Sequence, residues 1–162
     1  ICRMTGNSDF IIRWEIDNAT AVHAAGKAES EVFNEGGFKW TAKVERERDY
    51  TKLTLRCGVN HSRAWNCEVN TIVRLRTNFR STINCGQGRL IAFNASEDFW
   101  SLKPVSGWRI FSDKVFNIND KVTFEFDINI IKSEGGEPIS VPATRFSTQN
   151  SMSNVILKIG DQ

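Results

Sequence analysis

The side chains that could act in catalysis are few in this sequence and lie far apart. The two histidines are His23, in a stretch of small residues that we interpret as a loop, and His61, in a predicted hairpin turn. An imidazole works as a general base only beside a nucleophile and a group that stabilises developing charge. Neither sequence neighbourhood supplies such partners. We therefore expect both histidines to be solvated turn residues.

The remaining candidate motifs also favour structural roles. The carboxylate pairs Glu45 with Glu47 and Glu97 with Asp98 are close in sequence, but on strands and turns such pairs usually keep a surface hydrated. Gly86-Gln87-Gly88 is not followed by a helical pattern and so does not form a phosphate-binding loop. We predict a turn there. No serine-hydrolase, zinc-protease or dinucleotide motif is present, and the sequence predicts neither an enzyme nor a cofactor.

The four cysteines are predicted to be free thiols. The side chains of Cys57, Cys67, Cys85 and His61 are of types that bind zinc, but no pair has the Cys-x2-Cys spacing and the set matches no common site. Cys2 completes the four, and a chain of 162 residues can bury a core without disulfides. We expect Cys57 and Cys67 to behave as small buried hydrophobic residues.

Composition excludes two classes of function. The chain has 21 Lys and Arg against 19 Asp and Glu, a net charge of +2, and its charges are spread without long runs of one sign. A nucleic-acid or membrane-surface protein would carry a basic patch or stripe. No window approaches the roughly 18 consecutive apolar residues of a membrane span. We predict a single globular domain with protein partners.

Period-two alternation of apolar and polar residues dominates the sequence. It predicts strands with one buried face at 10–17, 38–45, 53–60, 65–75 and 122–130. Turn signals lie at 34–37, 60–63, 85–88 and 117–120, and no comparable segment has a helical period. About eight such strands, each with one apolar face, are most economically buried as two antiparallel sheets packed face to face. The predicted fold is an all-β, antiparallel eight-stranded β-sandwich.

Two segments stand outside this pattern. Residues 133–153 are rich in Ser, Thr, Gly, Pro and Gln and are interpreted as a linker, after which 154–162 begins a new strand. The segment 98–105 places two aromatic residues and a lysine between a turn and a proline. Such aromatics are either exposed anchors for a peptide or core residues at a strand end.

Several motifs, in order, resemble the MATH (TRAF-like) domain from about Phe10 to Ile131. They are Phe10-x-Ile12-x-Trp14-x-Ile16-x-Asn18, Ser30-Glu31-Val32-Phe33-x-x-Gly36-Gly37-Phe38-x-Trp40, Leu53-Thr54-Leu55-Arg56-Cys57, Trp65-x-Cys67 and Asn119-Asp120-Lys121-Val122-Thr123-Phe124. The tail 153–161 resembles the first strand of a BTB (POZ) domain. Together they resemble a MATH-BTB protein of the nematode type, with a MATH domain at 1–132, a linker at 133–153 and the start of a truncated BTB domain at 154–162.

The resemblance implies a substrate receptor without catalytic activity, acting in the cytoplasm or nucleus. In such proteins the MATH domain captures short linear segments of client proteins, while the BTB domain forms a homodimer and docks on a cullin-type ubiquitin ligase scaffold. The alternative is a MATH-like signalling or extracellular interaction domain with no ubiquitin link. The residues beyond Gln162 would distinguish the two.

Matching by motif transfers the family's peptide groove onto six residues: Arg56, Ile91, Phe99, Trp100, Leu102 and Lys103. Alternation adds Glu68 and Asn70 on a neighbouring strand. The best-understood groove of this family has tyrosines where this chain carries Arg56 and Ile91, and a Trp-Gly-Phe sequence where this chain has 100–102. We therefore do not expect the Ser/Thr-rich segment that this groove binds to be the ligand here.

Three further expectations can be checked. Counting five residues either way from Ser62 pairs Cys57 with Cys67 across a hairpin. The isolated domain should be monomeric, because the family dimerises through the BTB domain. Trp100→Ala should weaken client capture at least tenfold with little change in melting temperature, whereas Trp14→Ala or Trp40→Ala should unfold the core.

Overall fold

The computed structural model describes residues 3–102 and 107–138, and strands dominate these two ranges. The strands are β1 (Arg3–Asp17), β2 (Lys27–Glu29), β3 (Phe33–Glu35), β4 (Phe38–Glu47), β5 (Tyr50–Gly58), β6 (Asn66–Arg76), β7 (Thr82–Asn94), β8 (Phe99–Leu102) and β9 (Lys121–Glu134). Helix α1 (Ala19–Ala25) follows β1, and a 3-10 helix spans Trp108–Phe111. None of the helices in these ranges is long and apolar enough to cross a membrane.

Two antiparallel sheets form a sandwich, as the sequence predicts. One has the order β1-β9-β6-β7, and the other has the order β2-β4-β5-β8 with β3 also paired to β4. The short strands β2 and β3 occupy successive parts of the same edge of β4. Each sheet is therefore four strands wide, and the predicted eight-stranded sandwich is confirmed with one edge strand divided in two.

Aromatic side chains fill the space between the sheets. Trp40 is fully buried, and its ring centroid lies 5.7 Å from those of both Phe10 and Phe93. Its indole Nε1 donates a hydrogen bond of 2.9 Å to the Glu35 carbonyl. Burying both the ring and its one polar atom in this way makes Trp40 costly to replace. Trp14 is also buried, as its place in the alternation predicts.

The predicted hairpin between Cys57 and Cys67 is wrong. Cys57 of β5 pairs with Trp40 in one sheet, and Cys67 of β6 pairs with Phe93 in the other. The chain between them crosses from sheet to sheet, so the two thiols face each other across the sandwich and remain free. Burial, followed by the neighbouring thiol, raises the pKa of Cys57 far above its ordinary value. Alternation could not distinguish the arrangements, because both place the two side chains on an inward face.

The predicted turn at 85–88 is also wrong, because β7 runs through it. Gly86 and Gly88 both have negative φ. A Cβ on Gly86 would lie 2.7 Å from a methyl of Leu102, and one on Gly88 would lie 2.8 Å from the indole of Trp100. The two glycines therefore permit close packing by side chains of β8, and their role is not to reverse the chain.

Helix α1 was not predicted, since its seven residues are too few to show a period. It begins after Asn18, which has a left-handed backbone, and the Ala19 amide donates to the Asp120 carbonyl. The helix contains His23, so the predicted loop at this position is wrong. The His23 carbonyl accepts a hydrogen bond of 3.0 Å from the Trp108 indole, which fixes the helix against the 3-10 turn.

The residues that follow β9 are hydrogen-bonded to two loops of the sandwich. The Nε2 of His61 donates to the Gly135 carbonyl at 2.7 Å, and its Nδ1 accepts from the Arg63 amide at 3.2 Å. The Glu137 amide donates to the Gly37 carbonyl. Residues 133–134, predicted as the start of the linker, belong to β9. The rest of that linker from 139 onward, and the predicted strand at 154–162, lie outside the described residues.

Candidate functional site

A shallow cleft of about 300 Å³ crosses the outer face of the β2-β4-β5-β8 sheet. This face carries the polar phase of the alternation, because the apolar phase of the same strands is buried against the other sheet. Polar and charged residues with one aromatic line the cleft: Glu29, Ser30, Thr41, Lys43, Glu45, Lys52, Thr54, Arg56, Phe99 and Ser101. We call this surface the outer-face cleft.

Strand register arranges the lining residues in rows across the sheet. Thr41 of β4 is paired with Arg56 of β5, which is paired in turn with Phe99 of β8. In the next row Thr54 lies opposite Ser101, and their hydroxyl oxygens are 2.9 Å apart. Paired residues in an antiparallel sheet project on the same side at about 5 Å spacing. The guanidinium-bearing, aromatic and hydroxyl side chains therefore share one surface.

The two cations Lys43 and Arg56 of the cleft differ in their ion pairing. Lys43 lies 3.8 Å from a carboxylate oxygen of Glu29 and 3.4 Å from one of Glu45. Arg56 is exposed and has no ion pair or hydrogen bond from its side chain within residues 3–102 and 107–138. Beside it Phe99 is 55% exposed. An unpaired cation next to an exposed ring can bind a segment that offers an apolar side chain and an anionic or carbonyl oxygen.

The cleft ends at an open strand edge. Strand β8 is the last strand of its sheet in the described part of the chain, so its far backbone edge has no strand partner there. An extended peptide can pair with such an edge through main-chain hydrogen bonds while its alternate side chains reach neighbouring pockets. The edge and the cleft together can hold a linear segment.

The structure divides the predicted groove residues into two groups. Arg56 and Phe99 are register partners on the outer face. Trp100 is paired with Leu55 and Leu102 with Leu53, and both partners are buried, so these two side chains lie on the inward face. Ile91 of β7 is also packed against the core.

The inward group closes the edge of the sandwich. A Cβ at Gly88 would meet Ile91 at 2.5 Å and Trp100 at 2.8 Å, which places both side chains beside the same point of β7. Trp100, Leu102 and Ile91 are all half-buried. Of the two interpretations that the sequence left open for the aromatics, Phe99 has the exposure of an anchor, and Trp100 has contacts typical of a core residue at a strand end.

The other predicted residues lie elsewhere. Glu68 pairs with Lys132 and Asn70 with Asn129, which places both on the outer face of the opposite sheet. The Asn70 side-chain oxygen accepts a hydrogen bond from the Leu90 amide. Lys103 lies outside the described residues. Neither Glu68 nor Asn70 shares a surface with Arg56.

Sequence reasoning missed most of the lining of the outer-face cleft. Thr41, Lys43, Lys52, Thr54 and Ser101 all occupy the polar phase of strands β4, β5 and β8. That phase is visible in the sequence. Which residues become neighbours is decided by strand pairing, and the sequence alone did not give the register between β5 and β8.

The part of the cleft lining that the described residues form offers hydrogen-bonding and charged groups, without a histidine or cysteine. His61 is engaged with Gly135, and His23 lies on α1, away from the cleft lining. Within the described ranges no three His, Cys, Asp or Glu side chains are grouped so that they could hold a metal ion. The surface is suited to recognition of a polypeptide.

Comparison with known proteins identifies the family. The sequence model of the MATH domain matches residues 16–130. No curated protein matches significantly. Among solved structures, two variants of CBM29-2 come from a study of family 29 carbohydrate-binding modules. One has 10% identity and covers 88% of this chain, and the other has 9% identity and covers 85%. Both are covered over 99% of their own length, with TM-scores of 0.17. Scores this low support no inference about fold or ligand. The match to the family model covers most of the chain, and the protein belongs to the MATH domain family of protein-interaction modules.

Proposed function

We propose that this MATH domain binds an extended segment of a client protein in the outer-face cleft and brings it to a cullin-based ubiquitin ligase through an adjoining BTB domain. The full-length protein would be a MATH-BTB receptor of the nematode type, working in the cytoplasm or nucleus as a homodimer formed by the BTB domain. The observation that carries the binding proposal is that exposed Phe99 lies on the strand next to Arg56, whose side chain has no ion pair or hydrogen bond within the described residues.

Their geometry supports a ligand that offers one apolar side chain and one anionic or carbonyl oxygen. Phe99 and Arg56 face outward from neighbouring strands about 5 Å apart. The ligand would place an apolar side chain on Phe99 and a nearby carboxylate or carbonyl oxygen at Arg56. The Thr54–Ser101 hydroxyl pair next to them offers further hydrogen bonds. One or two such anchors usually supply most of the binding energy of a short segment.

The biological effect would follow from proximity. A client held on the receptor remains close to the ubiquitin-charged conjugating enzyme, so transfer becomes effectively intramolecular. A dimeric receptor also adds avidity for clients with two binding segments. No catalytic group in the MATH domain is required.

The binding proposal can be tested with peptides selected from a random display library on the wild-type chain. Phe99→Ala should weaken a selected peptide about tenfold or more, which corresponds to loss of an anchor, and Arg56→Gln should weaken it too. Ile11→Ala is the matched control, because Ile11 is 56% exposed on the outer face of the opposite sheet. Unchanged affinity in Phe99→Ala would place the ligand elsewhere.

The ligase link needs a separate measurement. The full-length protein, purified from its own cells, should carry a cullin with it, and ubiquitin conjugates of bound clients should decrease in the Phe99→Ala variant. Clients without any cullin would contradict the ligase link and favour the alternative, a MATH-like signalling or extracellular interaction domain.

A further inference from the structure

A second pocket lies at the end of the sandwich where β6 turns into β7. It has a volume of about 520 Å³ and lies among the turn at 77–80, the loop at 118–119 and the adjoining ends of β1 and β9. Its polar lining consists mainly of Arg76, Asn78, Arg80, Asn119, Lys121 and Glu15. We call it the tip pocket. It shares no residue with the outer-face cleft.

The turn that forms the pocket is firmly positioned. The Thr77 amide donates to the Ser81 carbonyl at 2.9 Å, and the Thr77 hydroxyl lies 2.9 Å from that of Ser81. Asn78 ties the turn to the neighbouring loop: its amide donates to the Val115 carbonyl at 2.8 Å, and its side chain donates to the Lys114 carbonyl at 3.2 Å. A pocket with such supports is preorganised, which reduces the entropic cost of binding.

The lining of the tip pocket has an excess of positive charge. It contains Arg76, Arg80 and Lys121 against the single carboxylate of Glu15. Lys121 is paired with Glu15 at 3.1 Å and with Asp17 at 3.5 Å. Within the described residues Arg80 has no ion pair. Its guanidinium is available to an incoming anion.

Arg76 is only weakly engaged. Its Nη2 lies 3.6 Å from an oxygen of Glu125, which is longer than a hydrogen bond. The same oxygen already accepts from Arg13 at 3.2 Å. The buried Nε of Arg76 has no partner in the part of the chain that the structure describes. Two arginines therefore share one carboxylate, and the Arg76 side chain, which is 42% exposed, can also reach a ligand.

An exposed aromatic, Phe79, lies in the turn between Asn78 and Arg80, which both line the pocket. Phe79 is 75% exposed, the highest value among the large hydrophobic side chains of the described ranges. Its backbone is fixed, because its amide donates to the Thr77 hydroxyl at 3.3 Å. Exposed aromatic and arginine side chains are the residue types enriched at the centres of protein interfaces.

We propose that the tip pocket binds an acidic segment of a partner protein, with carboxylates at Arg80 and Arg76 and an apolar side chain against Phe79. Arginine forks match carboxylates in shape and charge. The carboxylates of Glu15 and Asp17 beside Lys121 interrupt the positive surface, whereas a nucleic acid needs a continuous basic stripe. This second interface would allow the domain to hold a partner while the outer-face cleft is occupied.

The probe for the test is a short fluorescein-labelled peptide in which Glu and Asp alternate with Leu, titrated with the 162-residue chain by fluorescence polarisation. Binding should weaken as salt is raised. Arg80→Gln and Phe79→Ala should each weaken it about fivefold or more. Both side chains are exposed, so the melting temperature should stay within about two degrees of wild type.

The matched control is Arg48→Gln. Arg48 is also an exposed arginine with a φ of 60° in a hairpin turn, but it lies between β4 and β5 and does not line the pocket. Its affinity for the probe should be unchanged, as should that of Arg56→Gln. Amide NMR shifts of the wild-type chain on titration should cluster at 76–81 and 114–119.

Three results would overturn the proposal. The first is that wild type, Arg80→Gln and Phe79→Ala bind the probe with equal affinity. The second is that only Arg56→Gln loses binding. The third is that a single-stranded oligonucleotide competes with the probe, and competes equally well in Phe79→Ala. Loss in Arg56→Gln alone would assign the probe to the outer-face cleft. Failure of the tip pocket would therefore leave the proposed function standing.

Discussion

Replacing Gly88 by alanine tests whether Trp100 closes the edge of the sandwich between β7 and β8. The new Cβ would lie 2.5 Å from the Ile91 Cδ1 and 2.8 and 3.0 Å from two atoms of the Trp100 indole. The Ile91 methyl can rotate away, but the indole is rigid. Overpacking of this kind costs about 1–3 kcal/mol. Removing a glycine from a strand returns roughly 0.5–1 kcal/mol, so a net loss of about 1–2 kcal/mol is expected.

A double-mutant cycle identifies the contact. Trp100→Ala alone should cost about 2 kcal/mol, less than the 3–5 kcal/mol of a fully buried Trp, because the side chain is half-buried. Once the indole is absent, Gly88→Ala should cost little. The double variant should therefore be about 1–2 kcal/mol more stable than the sum of the single changes predicts. The sequence alone predicts a nearly unchanged melting temperature for Trp100→Ala, whereas the half-buried indole predicts a measurable loss of stability.

Urea unfolding followed by far-ultraviolet circular dichroism measures these free energies without relying on tryptophan fluorescence. Gly58→Ala is the control, because no atom lies within 4 Å of the Cβ that it would add. It should be neutral or slightly stabilising. If Gly88→Ala costs no more than Gly58→Ala, or the two changes at Gly88 and Trp100 are additive, the indole does not cover Gly88 and is available to a ligand.

Three further outcomes follow from local environments. Burial raises the pKa of Cys85 to about 12, so as pH rises this thiol ionises in the unfolded chain before it does in the folded one. The free energy of unfolding should therefore fall above about pH 9. Cys85→Ala should reduce that fall when unfolding in urea is measured at several pH values, and the same pH dependence in both proteins would contradict this. Hydrogen bonds from the side chain and backbone of Thr20 hold the pKa of Asp120 below its ordinary value. The resulting stabilisation of the fold is present at pH above the ordinary pKa and is lost as the pH falls through the lower pKa of the folded state. Thr20→Ala should raise this pKa in a carboxyl NMR titration. Glu125→Gln should destabilise the fold by about 1–2 kcal/mol, because Arg13 and Arg76 lose their shared carboxylate; a loss that salt leaves unchanged would argue against a charge effect.

The strands that the sequence predicted well are those with one buried face. In β4 every second residue from Phe38 to Val44 is buried, and β6 alternates in the same way from Cys67 to Leu75. Such strands cannot slip by one residue without exposing the core, so their pattern is clear. Pairing was less predictable. The inward phase of β5 and β6 is the same whether they form a hairpin or lie in opposite sheets.

Two of the predicted groove residues, Arg56 and Phe99, line the outer-face cleft, and the sequence could not assign the others for a related reason. Strand β8 has four residues, and two neighbouring aromatics in so short a strand do not show which one faces outward. The pairing of Trp100 with buried Leu55 decides it, and Phe99 then faces out beside Arg56. Gly86 and Gly88 misled because a glycine needed for close packing has the same appearance in the sequence as one needed for a turn.

Strand β9 lies where it would carry mechanical force through the domain. It lies between β1 and β6 and is hydrogen-bonded to both along most of its length. Its C-terminal end pairs with the start of β6, and its N-terminal end lies near the tip pocket. Tension between Pro138 and a partner held at the tip pocket would therefore pull β9 and β6 lengthwise past each other. All hydrogen bonds of that ladder would resist together, so the domain should transmit such tension without unzipping.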